Sequence, residues 1–328
     1  MFLKIKGLLK MKRRDFIKTA LIAGASLQFS TVWTKKLPAQ DNLIKITILQ
    51  TNDTHSRIDP FPMDGSRNQG CGGIARRATL VKKVRELNPH TLLLDAGDVF
   101  QGTPYFNFYK GKIEYLTMSK CDYDASTLGN HEFDLGVEPL VTALNYASFP
   151  IINCNYDFGN TTLDPIVKTS ITKQLSSIKI GITGVGIDFI DLVTPNNHKG
   201  IVYGCPVESL KKEINHLRNN LGCDFIVVLS HLGYKYKDGT VSDQVIAREV
   251  DGIDWIIGGH THTFMKQPEL IISEGGYETR ILQVGFAGIL LGKSDFYFEG
   301  KKLVHTETSL MEINSEVEES IAIFDALT

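Results

Sequence analysis

Seven side chains able to bind a metal stand where short apolar runs of this chain end. Asp53 and His55 lie two apart in Thr51-Asn52-Asp53-Thr54-His55, and Asp98 closes Asp95-Ala96-Gly97-Asp98. Asn130 precedes His131 and Glu132, His231 follows Ser230, and His260 and His262 lie two apart after Gly258-Gly259. Five of the nine histidines fall in these segments. Crowded imidazoles and carboxylates are costly to desolvate unless something positive binds them, and a metal does so directly. Asp53, His55, Asp98, Asn130, His231, His260 and His262 exceed the four ligands of a tetrahedral site. They suit two adjacent ions that share one carboxylate, for which Asp98 is the natural bridge. With no thiolate in the set, Zn, Mn, Fe or Co fits better than copper(I) or an iron–sulfur cluster. A single HxH or DxH is ordinarily a pair of solvated or hydrogen-bonded groups, and a Gly-Gly turn serves backbone geometry. The weight comes from five segments in order, each placing its polar residue where a strand stops.

The elements that must position these residues are short β-rich runs bounded by Gly, Asp or Asn. They cover residues 43–49, 91–94, 125–128, 149–154, 178–187, 225–229, 253–257, 281–284 and 294–298. Helical patterns lie between several of them, at 74–87 and 207–219, the latter with Leu210, Ile214 and Leu217 at helical spacing. This alternation predicts an α/β sheet core, in which ligands gather beyond the carboxyl ends of strands. No repeat, low-complexity stretch or long linker divides residues 43–312, so one domain is expected there although 328 residues leave room for two. Residues 314–327 read as a helix with Ser315 as N-cap, and Ile321, Phe324 and Leu327 as an apolar stripe. Arg76 and Arg77, near the start of the 74–87 helix, read either as anion holders or as a solvated face, and stay outside the catalytic set.

Composition is that of a globular protein, with 42% hydrophobic and 22% charged residues. The net charge of −2 conceals an uneven distribution. Residues 1–40 carry nine Lys/Arg and one acid, and the remainder carries 26 basic against 36 acidic residues, a body of −10 that is a poor binder of nucleic-acid polymers. Lys12-Arg13-Arg14-Asp15-Phe16-Ile17-Lys18, followed by a weakly apolar run to Leu27, reads as an export leader over residues 1–40. It resembles a twin-arginine signal, which implies a periplasmic protein exported after folding, with Met11 an alternative start. The run is too short and polar to span a bilayer, so no transmembrane anchor is expected in the mature form. The five cysteines show no CxxC pair, and free, reduced and buried thiols are expected.

In order along the chain, NDTHSR, DAGDVFQGT, LGNHEFDLG, LSHLG and GGHTH resemble the 5′-nucleotidase branch of the calcineurin-like metallophosphoesterases over roughly residues 43–312. The resemblance implies a four-layer α/β/β/α sandwich with two divalent ions at the strand ends. It assigns Asp53, His55, Asp98 and His262 to one ion, and Asp98, Asn130, His231 and His260 to the other. Some relatives carry glutamine at the position of His262. His131 and Asp134 match the family's catalytic dyad. Physically, a carboxylate three residues beyond an imidazole can hold the ring and favour its protonated form.

The implied reaction is hydrolysis of nucleoside monophosphates to nucleoside and phosphate by a metal-bridged hydroxide. Its alternatives are nucleotide-sugar, 2′,3′-cyclic nucleotide or thiosulfohydrolase chemistry on the same fold. A further alternative is a metal-binding subunit that needs a partner chain. Full-length members carry a carboxy-terminal nucleotide-binding domain joined through a helix, so residues 313–328 read as a remnant of that linker. A separate chain supplying the missing domain is then the expected partner, with a phosphate ester, most simply a nucleotide, as the small-molecule substrate.

Overall fold

A computed structural model describes residues 43–324 of the chain. The expected leader over residues 1–40, and Leu327 of the apolar stripe, lie outside the described residues.

Two sheets are stacked face to face. The first consists of β1 (Leu43–Thr51), β2 (Thr91–Asp95), β3 (Ala125–Ser126), β12 (Leu290–Glu299) and β13 (Lys302–Glu312). These lie in the order β13-β12-β1-β2-β3. The second contains β5 (Ser170–Leu175), β6 (Ile178–Gly186), β8 (Phe225–His231), β9 (Trp255–Gly258), β10 (Glu269–Ile272) and β11 (Glu278–Leu282). Its order is β10-β11-β9-β8-β6-β5. A small ribbon pairs β4 (Tyr156–Asp157) with β7 (Val202–Tyr203). β1, β2 and β3 are mutually parallel, as are β6, β8, β9 and β11, so β1, β2, β3, β8 and β9 each end in or just before one of the polar segments.

The pleat explains the layering, because successive side chains leave a strand on opposite faces. Ile46 and Ile48 of β1 and Phe296 and Phe298 of β12 point into the space between the sheets. There they meet Phe225, Val227 and Leu229 of β8 and Trp255 and Ile257 of β9. Phe225 and Trp255 both pack on Phe296, at ring separations of 4.8 and 5.0 Å. Leu49 and Leu93 point the other way, under α1 (Ile74–Leu87), α3 (Lys112–Lys120) and α4 (Val137–Leu144). On the far side, Ile226 and Val228 receive α5 (Pro206–Asn215) and α6 (Asp243–Glu249). The result is the expected α/β/β/α sandwich.

Several details differ from expectation. Residues 149–154 form only isolated bridges through Ile151 and Ile152 rather than a strand. Four helices, α2 (Pro104–Tyr109), α3, α4 and α6, have no counterpart among the helical patterns named from the sequence. The helix beginning at Pro206 widens into a π turn over His216–Asn220. In the tail, residues 314–320 are not helical: the Asn314 side chain accepts the Glu316 N–H (3.0 Å) and closes a local turn, and the helix α7 covers Ile321–Phe324. Ile323 is buried there, while Ile321 and Phe324 are exposed. All five cysteines are free, but only Cys121 and Cys223 are fully buried; Cys71 and Cys154 are half-buried and Cys205 is exposed. No helix among the described residues is long and apolar enough to cross a membrane.

Candidate metal centre

All seven candidate ligands converge at the carboxyl ends of the strands. Asp53, His55 and His262 form one group, and Asp98, His231 and His260 another, with the donor atoms of each group within 4.8 Å of one another. Asn130 joins the second group through its Oδ1, 3.0 Å from His260 Nδ1. In the first group His55 Nε2 and His262 Nε2 face each other at 2.9 Å, and His262 Nε2 lies 3.4 Å from Asp53 Oδ1.

The backbone is bent to make this possible. Asp53, His55, Asp98, His260 and His262 all adopt positive φ, between 46° and 69°. Non-glycine residues visit this region rarely, at a cost of about 1–3 kcal/mol each, and such strain collects at functional sites. Close approach does the rest: a Cβ on Gly129 would lie 2.2 Å from Asp98 Oδ1 and 2.7 Å from His231 Cε1.

The imidazoles are oriented as ligands. His55 Nδ1 donates to the Phe100 carbonyl at 3.1 Å, and His231 Nδ1 to the Ala96 carbonyl at 2.7 Å. Each bond leaves Nε2 aimed into the site, the arrangement metal-binding histidines favour. His231 Nε2 is fully buried without a hydrogen-bond partner, although Asp98 Oδ2 lies 3.1 Å away. A buried nitrogen left this way is costly unless a cation takes its lone pair, so the residues present fit a divalent metal.

Taken as side chains alone, the groups respond to their surroundings in opposite directions. Burial lowers His55, and burial with the neighbouring His231 charge takes His260 down to about 4, so both favour the neutral, ligating form. For His231 burial also opposes the charge, but the Asp98 carboxylate overrides it and raises the ring to about 10. Burial opposes ionisation of Asp98 too, and His231 holds it well below the usual carboxylate range.

His131 sits beside the first group, its ring 5.4 Å from that of His55. Its backbone N–H donates to Asp98 Oδ1 at 2.9 Å, and its Nδ1 meets Asp134 Oδ2 at 2.9 Å. Burial disfavours its charged form, but the Asp134 bond and the Asp98 charge prevail and raise it to about 9. The ring keeps 32% of its side-chain surface exposed, enough to meet a substrate.

Other residues in the centre are not singled out by the sequence. The Glu132 carboxylate accepts the N–H groups of Asp98, Val99, Phe100 and Gly129. Gln283, fully buried, donates to the Gly259 carbonyl and accepts from the Thr261 hydroxyl and the Thr263 N–H, clamping the loop that carries His260 and His262. Asn52 holds Asp53 Oδ2 (2.5 Å) while bonding the Gly285 carbonyl and the Val284 N–H. Glu132 and Asn52 lie inside quoted motifs, and that is their only signal; Gln283 is an isolated polar residue in an apolar run. Arg77 is buried and donates to the Tyr123 hydroxyl, and Arg76 bonds the Gly70 carbonyl and pairs with Glu319, so both serve packing.

A double sheet with two histidine–carboxylate groups at its strand ends is the architecture of a metal-dependent hydrolase. Residues 46–264 match the model of the calcineurin-like phosphoesterases. The chain is 34% identical over 296 residues to a snake venom 5′-nucleotidase of Crotalus adamanteus, covering 84% of this chain and 49% of that one. It is 31% identical over 301 residues to a human 5′-nucleotidase, with 85% and 51% covered. The structure of a 5′-nucleotidase precursor from Thermus thermophilus superposes with a TM-score of 0.78 at 30% identity, covering 87% of this chain and 58% of the other. The chain belongs to the calcineurin-like phosphoesterase family and is related to 5′-nucleotidases. It spans about half the length of the curated relatives it matches.

Proposed function

We propose that this chain hydrolyses phosphate monoesters of nucleosides, with Asp53, His55, Asp98, Asn130, His231, His260 and His262 as ligands of two divalent ions and with His131 and Asp134 as the catalytic pair. The observation that carries the reading is the His131–Asp134 bond set beside two ligand groups. Zn, Mn, Fe or Co in such a site supplies Lewis-acid charge for the phosphoryl oxygens. The chain's own residues do the remainder. His131, held protonated by Asp134, is placed to donate its Nε2 proton to the departing ester oxygen or to stabilise charge on the phosphoryl group, a contribution typically of about 10²–10⁴ in rate. Asp134 fixes the ring and its tautomer. The catalytic domain is taken as residues 43–312, and the Arg13-Arg14 leader over residues 1–40 supports twin-arginine export to the periplasm.

Phosphate release from AMP with Mn or Zn, with and without chelator, tests the assignment. Chelator-sensitive release is expected; no release with either metal overturns the nucleotidase reading.

A further inference from the structure

The loop that follows β6 packs against the turn carrying His131 and Asp134. Phe189 anchors it: the buried ring stacks on Tyr156 at 4.7 Å and meets Phe133 edge-on at 4.9 Å. Phe133, itself buried, stands between His131 and Asp134 in the chain. The His198 ring also stacks on Phe189, at 4.7 Å, which pins the far end of the loop. One residue earlier, Asn197 reaches the catalytic turn, where its Nδ2 donates to the Asp134 carbonyl at 2.7 Å. A carbonyl only accepts, so the amide nitrogen is the atom that must face it.

Asn197 is presented on a short, stiff support. Pro195–His198 form one 3-10 turn; Pro195 opens it with a fixed φ, and the Asn197 N–H bonds back to the Thr194 carbonyl at 2.8 Å. Asp134 makes three bonds in turn. Its N–H donates to the His131 carbonyl at 3.2 Å, its carboxylate accepts from His131 Nδ1 at 2.9 Å, and its carbonyl accepts from Asn197. The first two run to His131, so they fix Asp134 against its own partner. The third ties it to a different element of the domain.

We propose that Asn197 is a positioning residue for the reaction, holding Asp134, and through it the His131 ring, at the angle that proton donation needs. The inference rests on the reading of His131 and Asp134 as the catalytic pair and adds what orients them. A displacement of about 1 Å at a reacting group costs up to about 10²-fold in rate, so a tie on the backbone of Asp134 is enough to be felt in turnover. Because Asn197 acts through Asp134, its loss should lower kcat and leave KM alone.

Two variants of the full-length, Zn-loaded protein test this. Asn197→Ala removes the amide; Asn197→Asp keeps its shape but sets a carboxylate, which cannot donate, against the carbonyl. In both, kcat for AMP is expected to fall about five-fold with KM within two-fold of wild type and unchanged zinc content. In an Asp134→Asn background Asn197→Ala is expected to cost less than a further two-fold, because residues that act as one unit do not add. A second reading needs no turnover: the proton on His131 Nδ1, identified by NMR as the downfield resonance absent from His131→Ala, should exchange with water at least three-fold faster in Asn197→Asp. Normal kcat and unchanged exchange in Asn197→Asp, a full five-fold loss added to Asp134→Asn, or a loss confined to KM overturns the proposal. If wild type does not hydrolyse AMP, the nucleotidase reading fails, and the exchange rate still decides whether Asn197 holds the pair.

Discussion

The carboxylate of Glu132 receives the backbone N–H of Asp98 at 3.0 Å, and through the same group it receives Gly129 at 2.6 Å. One buried side chain thus ties the loop after β2 to the loop after β3 and sets the distance between Asp98 and Asn130. Burial and the Asp98 charge push Glu132 up to about 7, while His231 and the surrounding amides pull it back.

Glu132→Gln replaces one accepting oxygen with an NH2 group and leaves at least one of the four amides without an acceptor. An unmet buried donor costs about 1–3 kcal/mol, and loss of a group supporting metal ligands typically lowers affinity about 10–100-fold. The expected outcome is a lower melting temperature together with reduced metal content by elemental analysis. Full metal occupancy with normal turnover would remove Glu132 from its positioning role.

His131 is assigned to chemistry rather than metal binding, and the two roles separate experimentally. His131→Ala is expected to retain its metal content while turnover of AMP falls by about 10² or more. Asp134→Asn weakens the hold on the ring without removing it, so a smaller loss, of about ten-fold, is expected with the metal again retained. Turnover near normal in His131→Ala would show that another group supplies the proton.

The candidate ligands are legible in the sequence because each follows an apolar run, and a strand that ends in Asp or His announces its site. Two of the edge strands are not. β5 (SITKQL) and β13 (KLVHTETSLME) alternate apolar with polar residues on half-exposed surfaces, so their apolar content is too low to register as a run. The tail misleads because Ser315 looks like an N-cap, whereas Asn314 closes a turn with its own side chain and keeps the next residues out of helix. The positive φ of Asp53, His55, Asp98, His260 and His262 leaves no trace in sequence, since such backbone usually announces itself through glycine. Glu132 and Gln283 act on backbone amides and carbonyls of loops distant in sequence, and their roles emerge only once those loops meet.

His262 belongs to the first ligand group alone, and its ring retains 40% of its side-chain surface exposed. His262→Ala should therefore lower bound metal from about two equivalents to about one, leaving the Asp98–His231–His260 group occupied. His262→Gln keeps an oxygen donor and is expected to hold both ions while shifting preference from softer towards harder cations. Two full equivalents in His262→Ala, measured by elemental analysis after dialysis, would exclude His262 as a ligand.

Asp95 closes β2 inside the core and bonds Thr51, Ser126 and the Gly97 N–H, with the buried Arg77 nearby. Burial nevertheless dominates and raises it from 3.8 to about 6. Because the folded form holds this proton more tightly than the unfolded chain, the native state carries more protons between about pH 4 and pH 6, and stability falls as pH rises through that window. The penalty is absent below the unfolded value and complete above about pH 7, with a size on the order of 3 kcal/mol. Asp95→Asn removes this titration and leaves the others in place. Urea unfolding of both proteins from pH 4 to pH 8 should show wild type losing on the order of 2–3 kcal/mol relative to Asp95→Asn as pH rises from 4 to 7, with no further change beyond. Parallel profiles would mean that the hydrogen bonds and Arg77 compensate burial fully, and that Asp95 is ionised throughout.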